Sequence, residues 1–287
     1  TDSNKEFAIT YSNKLRQEIG NSITLLDGMN KSFLQSSYKS FSKSFIDGIS
    51  DHDTTLSFLK VDSTTIKKTR AKSFLRVFWL DNKGDEVAQF AYDKGRILFG
   101  NYGERNYFKD VIRNKFFTYY FDNGNSIKYA FEPIYSWESD RYSMVLSIPV
   151  SDKTCPAKVA ATSFRFSSLE DVMLPRGFQY AIADKNGRIL MHSDTSRNLN
   201  DNILLYDNED KQLEASLTTN TVQNINTLVD NKAIQVLIEP VLNTPFFIVI
   251  FSDVSFIEAR DEEICIKTWI LLAFLLMFLI LELIMIF

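Results

Sequence analysis

The side chains able to do chemistry are few, and the first is Arg105, in the stretch NYGERNYFKDVIRNKFF at 101 to 117. A guanidinium can clamp a carboxylate or a phosphate through two parallel N–H bonds. The competing reading is an ordinary loop salt bridge to Glu104 or Asp110. Histidine occurs twice: His52 in DHD reads as part of a helix cap, and His192 in MHSD as a hydrogen-bonded turn residue or as the lining of a second pocket. Asp261, Glu262 and Glu263 read as a solvated helix face. There is no glycine-rich phosphate loop, no Cys/His metal spacing and no nucleophile elbow. The expectation is a binding protein with no catalytic residue, no metal and no cofactor. It is not read as an enzyme, and any catalytic effector is expected beyond residue 287.

Composition narrows the partners. A net charge of -4 gives no nucleic-acid surface, and the run of Lys60, Lys67, Lys68, Arg70 and Lys72 reads as a solvated helix face. Hydrophobic content of 45% with 24% charged residues is that of a folding chain. Cys155 and Cys265 are too few for a disulfide framework and are expected to be free.

The elements that must position Arg105 follow from the hydrophobic pattern. Phe7, Tyr11, Leu15, Ile19, Ile23, Leu26, Phe33, Phe41, Phe45 and Ile49 recur mostly at steps of three, four or eight, the stripe of a long amphipathic helix. A shorter helix at about 51 to 69 follows, capped by Asp51 or Asp53. The text then turns to short β-like runs: 74 to 80, 86 to 92, 96 to 99, 116 to 121, 127 to 135, 141 to 150 and 157 to 166. A second set covers 178 to 183, 187 to 192, 221 to 228, 232 to 242 and 245 to 252. Each set opens with a D-x-x-G hairpin, WLDNKGDEV and IADKNGRIL, and each ends in a strand, a Pro-Val exit and a closing strand. The repeated turn therefore marks a repeated module. The first copy is a dozen residues longer, and much of the surplus is assigned to the stretch around 101 to 117, which shows no counterpart in the second copy.

Trp269 to Phe287, WILLAFLLMFLILELIMIF, is apolar at every position except Glu282. At 1.5 Å per residue its length is about 28 Å, close to the hydrocarbon thickness of a bilayer. It reads as a transmembrane helix, with Glu282 placed to reach the headgroups. The chain opens at Thr1 without a leading Met or signal peptide, as expected of a mature or trimmed product.

The order of elements resembles the double Cache domain, the extracytoplasmic sensor of bacterial chemoreceptors, histidine kinases and cyclases. The likeness rests on the long first helix, the R-x-Y-F loop at Arg105, the second module opening AIADKNGRILMHSD, and the closing apolar helix, over about residues 5 to 262. It implies an α+β fold: a long N-terminal helix, two PAS-like antiparallel-sheet modules, then one C-terminal transmembrane helix. The implied division is 1–69 for the helices, 70–165 for a membrane-distal, ligand-binding module, 166–255 for a membrane-proximal module, 256–268 for a juxtamembrane helix and 269–287 for the span. In the amine- and carboxylate-binding version of that family an R-x-W-Y segment, a following Tyr and a closing Asp hold the ligand. Arg105, Tyr107 and Phe108 match the first, Tyr135 in EPIYSW matches the Tyr, and Ser163 or Thr162 stands where the Asp is expected. The resemblance thus implies a ligand site of Arg105, Tyr107, Phe108, Tyr135, Trp79 and Ser163, with Tyr107 and Tyr135 as hydroxyl donors and Trp79 as an apolar wall. Without the Asp, the expected ligand is small and anionic or polar, with no ammonium group.

The functional expectation is a small-ligand sensor in the inner membrane. Residues 1–262 lie outside the cytoplasm, two copies pair through the N-terminal helix, and the signal leaves through the span to a cytoplasmic effector. The alternative is a membrane-anchored structural or assembly subunit that uses the same fold for docking without a ligand.

Overall fold

The computed structural model describes residues 2–35, 74–91, 99–136, 141–170, 172, 174–206, 211–229 and 232–286. The first helix, α1, runs Asp2–Gln35. Leu15, Ile19, Ile23, Leu26 and Phe33 of the expected stripe are buried. Its expected continuation to Ile49, the helix at 51 to 69 with His52, the basic run at 60 to 72 and most of the strand at 96 to 99 lie outside the described residues.

The chain folds into two compact units. One holds Ile9–Val172 with Val241–Phe246; the other holds Thr1–Ala8, Met173–Pro240 and Phe247–Phe287. The first unit contains β1 (Phe74–Leu80), β2 (Glu86–Ala91), the short helix α2 (Asn106–Ile112), β3 (Phe117–Tyr120), β4 (Ser126–Ser136), β5 (Arg141–Pro149), β6 (Val159–Phe164) and the single turn α3 (Ser167–Glu170). Its antiparallel sheet has the order β2-β1-β6-β5-β4-β3. Strand period sorts the side chains of β1 onto two faces. Phe78 and Leu80 join Tyr107, Phe108 and Val111 of α2 in one buried cluster. Trp79 turns to α1, where its indole N–H donates to Asn30 Oδ1 at 3.2 Å and its ring stacks on Phe33 at 4.4 Å. The sheet is thus sandwiched, with α1 on one face and α2 on the other.

The second unit repeats the plan. β7 (Phe178–Asp184), β8 (Ile189–His192), two 3-10 turns (Thr195–Arg197 and Ile203–Tyr206), α4 (Gln212–Thr219), β9 (Gln223–Val229), β10 (Lys232–Pro240) and β11 (Phe246–Asp253) follow in turn. The sheet order is β8-β7-β11-β10-β9. Ala181, Ala183, Val236, Ile238, Phe247, Val249 and Phe251 face Ile203 of the second 3-10 turn and Leu213 and Leu217 of α4 in its core. The fold class is the one expected: α+β, with a long leading helix, two antiparallel-sheet modules and an apolar C-terminal helix.

The surplus length of the first copy lies elsewhere than expected. Both units carry a helix-bearing crossover after the opening hairpin, α2 in one and the 3-10 turns with α4 in the other, so 101 to 117 does have a counterpart. Among the described residues, what the second sheet lacks is the edge strand β3, and its β9–β10 hairpin is shorter than β4–β5. The crossover of the second unit is built from polar, turn-rich text, which hid the correspondence.

The last helix, α5 (Val254–Ile286), starts directly where β11 ends and is exposed along its apolar length. It is long and apolar enough to cross a membrane.

Candidate functional site

The D-x-x-G turn does in each unit what the crossover needs. In the first, Asp81 Oδ1 accepts the N–H groups of Lys83 and Asp85, and Gly84 takes a left-handed φ of +86°. A Cβ on Gly84 would come within 2.3 Å of Gly103 N, so only glycine lets the turn lie against the loop before α2. Two bonds fix that loop: Tyr102 N–H donates to Gly84 O at 2.7 Å, and Glu86 N–H to Gly100 O at 3.0 Å. The second unit repeats this. Asp184 Oδ1 accepts from Asn186 and Arg188, Gly187 stands at φ +76°, and Ile203 N–H donates to Gly187 O at 2.9 Å.

The first turn delivers Arg105 to the N-terminal end of α2. Its backbone is extended (φ -73°, ψ 142°), its N–H donates to Tyr102 O, and its carbonyl accepts from Phe108 and Lys109. The side chain is half-buried, and among the described residues no hydrogen bond or ion pair engages its guanidinium. The loop salt bridge weighed for it is absent, because Glu104 pairs with Lys109 at 2.6 Å instead. That hydrogen bond and the charge of Lys109 hold the Glu104 carboxyl below its usual range.

Tyr107 is buried beside it. Its N–H donates to Glu132 Oε2 at 2.9 Å, its carbonyl accepts from Ser147 Oγ at 2.7 Å, and its ring meets Phe78 edge-on. Burial pushes its phenol far above the ordinary tyrosine range. The neighbouring Tyr102 and Glu132 add to the rise, and the charges of Arg76 and Arg105 partly oppose it. The phenol therefore stays protonated and is available as a donor.

Arg76 is the residue that sequence reasoning missed. It is buried on the α2 face of β1, with Nη2 donating to Tyr102 Oη at 2.6 Å and the guanidinium lying over the Phe78 ring at 4.5 Å. The available signal was a charge at an inward position of the otherwise apolar FLRVFWL, since a buried cation demands partners. Ser163 pairs with Arg76 in register, and its other strand neighbour, Val145, belongs to the cluster around α2. Phe108 is also on this side, fully packed in that cluster.

The structure puts Tyr107, Phe108, Ser163 and Arg76 on the α2 side of the sheet, with Arg105 at the start of α2. It separates the other two residues. Trp79 belongs to the α1 face, as its bond to Asn30 shows. Tyr135 also faces away from α2: it is paired with Tyr142 in register and meets it edge-on at 5.1 Å, while Ala130 and Ile134 of the same strand belong to the α2 side. Trp79 and Tyr135 thus lie off the face of the sheet that carries α2. Thr162, the alternative to Ser163, donates its hydroxyl to Arg76 O. His192 is a turn-bonded histidine: it is buried, its Nδ1 accepts from Asp194 N–H at 2.8 Å, and its ring lies against Phe251. Cys155 is buried, Cys265 is exposed, and both are free.

A long helix, two such sheets with their crossovers and an apolar exit helix make the double Cache fold. The solved structures similar to this chain are of that kind. The ligand-binding domain of Mlp24 with asparagine matches at a TM-score of 0.60 and 15% identity, over 90% of this chain and 94% of that one. The ligand-binding domain of the Pseudomonas fluorescens chemoreceptor CtaA, in complex with L-serine, matches at 0.57 and 12%, over 88% and 97%. That of the Pseudomonas aeruginosa amino acid chemoreceptor PctC, in complex with GABA, matches at 0.54 and 13%, over 88% and 99%. At these identities the likeness is one of fold. Comparison with protein-family models and with curated proteins found no match.

Proposed function

We propose that the chain is the extracytoplasmic sensing part of a membrane signalling receptor, with a small anionic ligand held on the α2 face of its first sheet. The observation that carries this is Arg105: a half-buried guanidinium with no hydrogen bond or ion pair among the described residues, next to a buried, protonated Tyr107 and on the side of the sheet that also buries Arg76. A carboxylate set between Arg105 and the Tyr107 hydroxyl would meet a cation and a donor that this face leaves available. Ser163 offers no charge to an ammonium group, so the ligand is a carboxylic acid rather than an α-amino acid. The fold, which is that of chemoreceptor ligand-binding domains, supports the sensor reading. In this reading α5 anchors the chain in the inner membrane, residues 1–262 lie outside the cytoplasm, two copies pair along α1, and the signal leaves through α5 to an effector.

The test is calorimetric titration of the whole chain in detergent micelles against a panel of small carboxylic acids and amino acids. Loss of a charge-assisted bond costs about 1.5–3 kcal/mol, so Arg105→Ala is expected to weaken the best acid by roughly ten- to a hundredfold. Equal affinity in the variant reduces Arg105 to a surface residue. If the tightest compound that responds to Arg105→Ala is an α-amino acid, the reading of Ser163 is wrong.

A further inference from the structure

The second unit contains a cavity of about 280 Å³ at one end of its sheet. That is near the lower limit of small-molecule pockets, which run from about 300 to 1,000 Å³. Its composition follows from three strands. The inward rows of β7, β10 and β11 are apolar through the core: Ala181 and Ala183, Val236 and Ile238, and Phe247, Val249 and Phe251. Each row then changes character at the same end, to Gln179, to Lys232 and to Asp253, and all three line the cavity. Counted from the two D-x-x-G turns, Gln179 holds the position in β7 that Arg76 holds in β1, and Ala181 and Ala183 stand where β1 has Phe78 and Leu80.

The charges around this cavity are not matched to one another. Arg197 is balanced by its own loop: Asp194 and Asp201 each lie 3.8 Å from it, and its Nη1 donates to Tyr206 Oη at 2.9 Å. Tyr206 in turn donates to Asp201. Lys232 has no ion pair or hydrogen bond among the described residues. Asp253 Oδ1 accepts from Ser255 N–H at 3.0 Å and Ser255 Oγ at 2.6 Å, and the two carboxylate oxygens make no ion pair with Lys232. A cation and an anion thus line one small cavity, neither satisfied by the other, with the aromatic walls of Phe251 and Tyr206 between the loop and the sheet.

We infer that this cavity is a second binding site, for a small zwitterion whose carboxylate is taken by Lys232 beside Arg197 and whose ammonium is taken by Asp253. The inference stands apart from the reading of Arg105, since it uses none of the residues of the first sheet. It also supplies a route for output. Asp253 caps the first turn of α5 through Ser255, and its own N–H is held by Gly177 O at 2.9 Å. A ligand that pairs with Asp253 competes for the carboxylate at the point where the sheet becomes the exit helix.

The experiment uses the whole chain in detergent micelles and a series of zwitterions of increasing length: glycine, β-alanine and 4-aminobutyrate. Butyrate and n-butylamine, titrated in Arg105→Ala so that an acid held by the first sheet does not count, serve as the one-charge controls. At least one zwitterion is expected to bind at millimolar concentration or below, and both controls to bind at least tenfold more weakly, as loss of a charge-assisted contact requires. Lys232→Gln and Asp253→Asn are each expected to weaken that zwitterion by roughly ten- to a hundredfold, and Arg105→Ala to leave it unchanged. Asp253→Asn keeps an oxygen for the Ser255 cap, and Lys232 lies on the surface, so unchanged circular dichroism checks that both variants fold. Absence of binding by all three zwitterions, equal binding of butyrate, or indifference to both substitutions overturns the site. Loss of binding in Arg105→Ala alone would assign the zwitterion to the first sheet and overturn it equally.

Discussion

Acid should loosen the second unit through one histidine. His192 is 1% exposed, and its Nδ1 is already occupied as an acceptor by Asp194 N–H, so the neutral ring carries its proton on Nε2. Adding a proton to Nδ1 would set two donors against each other and place a charge beside the Phe251 ring and Arg197. Burial, and then the charge of Arg197, lower the pKa from 6.5 to about 4, against the pull of Asp194 and Asp201 in the other direction. The sign follows. Above pH 6.5 the ring is neutral folded and unfolded, and the group contributes nothing to the pH dependence. As pH falls from 6.5 to about 4, the unfolded chain takes up a proton that the folded chain refuses, and stability drops. Each pH unit costs about 1.4 kcal/mol, so the loss approaches about 3 kcal/mol near pH 4.

Two measurements check this. The chain has two histidines, so NMR titration of the imidazole signals in His52→Gln isolates His192. Its signal is expected to stay flat to about pH 5 and to turn near 4. Hydrogen exchange at the Asp194 amide, which donates to the ring, should accelerate over the same interval, and the acceleration should be smaller in His192→Gln. A midpoint at or above 6.5 would refute the reasoning, because a buried ring that titrates normally is not paying for its surroundings in protons.

Other expectations are more local. Gly84→Ala forces a Cβ against Gly103 N at a φ of +86°, so it should lower the unfolding midpoint by a stability loss of more than about 1 kcal/mol and weaken acid binding as α2 shifts. Asn30→Ala leaves the buried Trp79 N–H without its acceptor and should cost about 1–3 kcal/mol in urea unfolding, whereas a surface role for Trp79 predicts no change. In a Cys265→Ser background, Asn200→Cys should react with an impermeant thiol reagent in cells with a permeabilised outer membrane, and labelling only after lysis would reverse the topology.

How much of this was legible in the sequence depends on whether a feature was local. The α1 stripe, the two D-x-x-G turns and the paired closing strands are written in short-range periodicity, and the strand limits followed to within a residue or two, as in β1 at Phe74–Leu80 and β11 at Phe246–Asp253. Which face of a strand meets which helix is not local. Trp79 and Phe78 are both large and apolar, and only the docking of α1 and α2 decides that Trp79 meets Asn30 while Phe78 meets Tyr107. Tyr135 is the same case: its position in the chain was legible, its side of the sheet was not.

Arg76 shows what could have been read. In an alternating strand, an inward charge is a departure from the pattern that needs a compensating partner, and its counterpart Gln179 marks the same place in the second copy. The duplicated module therefore keeps a polar residue at the same point of two apolar rows, packed against Phe78 and Tyr102 in one case and lining the cavity in the other. Duplication preserved the scaffold, and the surroundings of that one position differ: a packed arginine in one sheet, an exposed glutamine in the other. Gln179 lines the cavity and is exposed, so Gln179→Trp should fill that space and abolish zwitterion binding while leaving the response of the first sheet to acids intact.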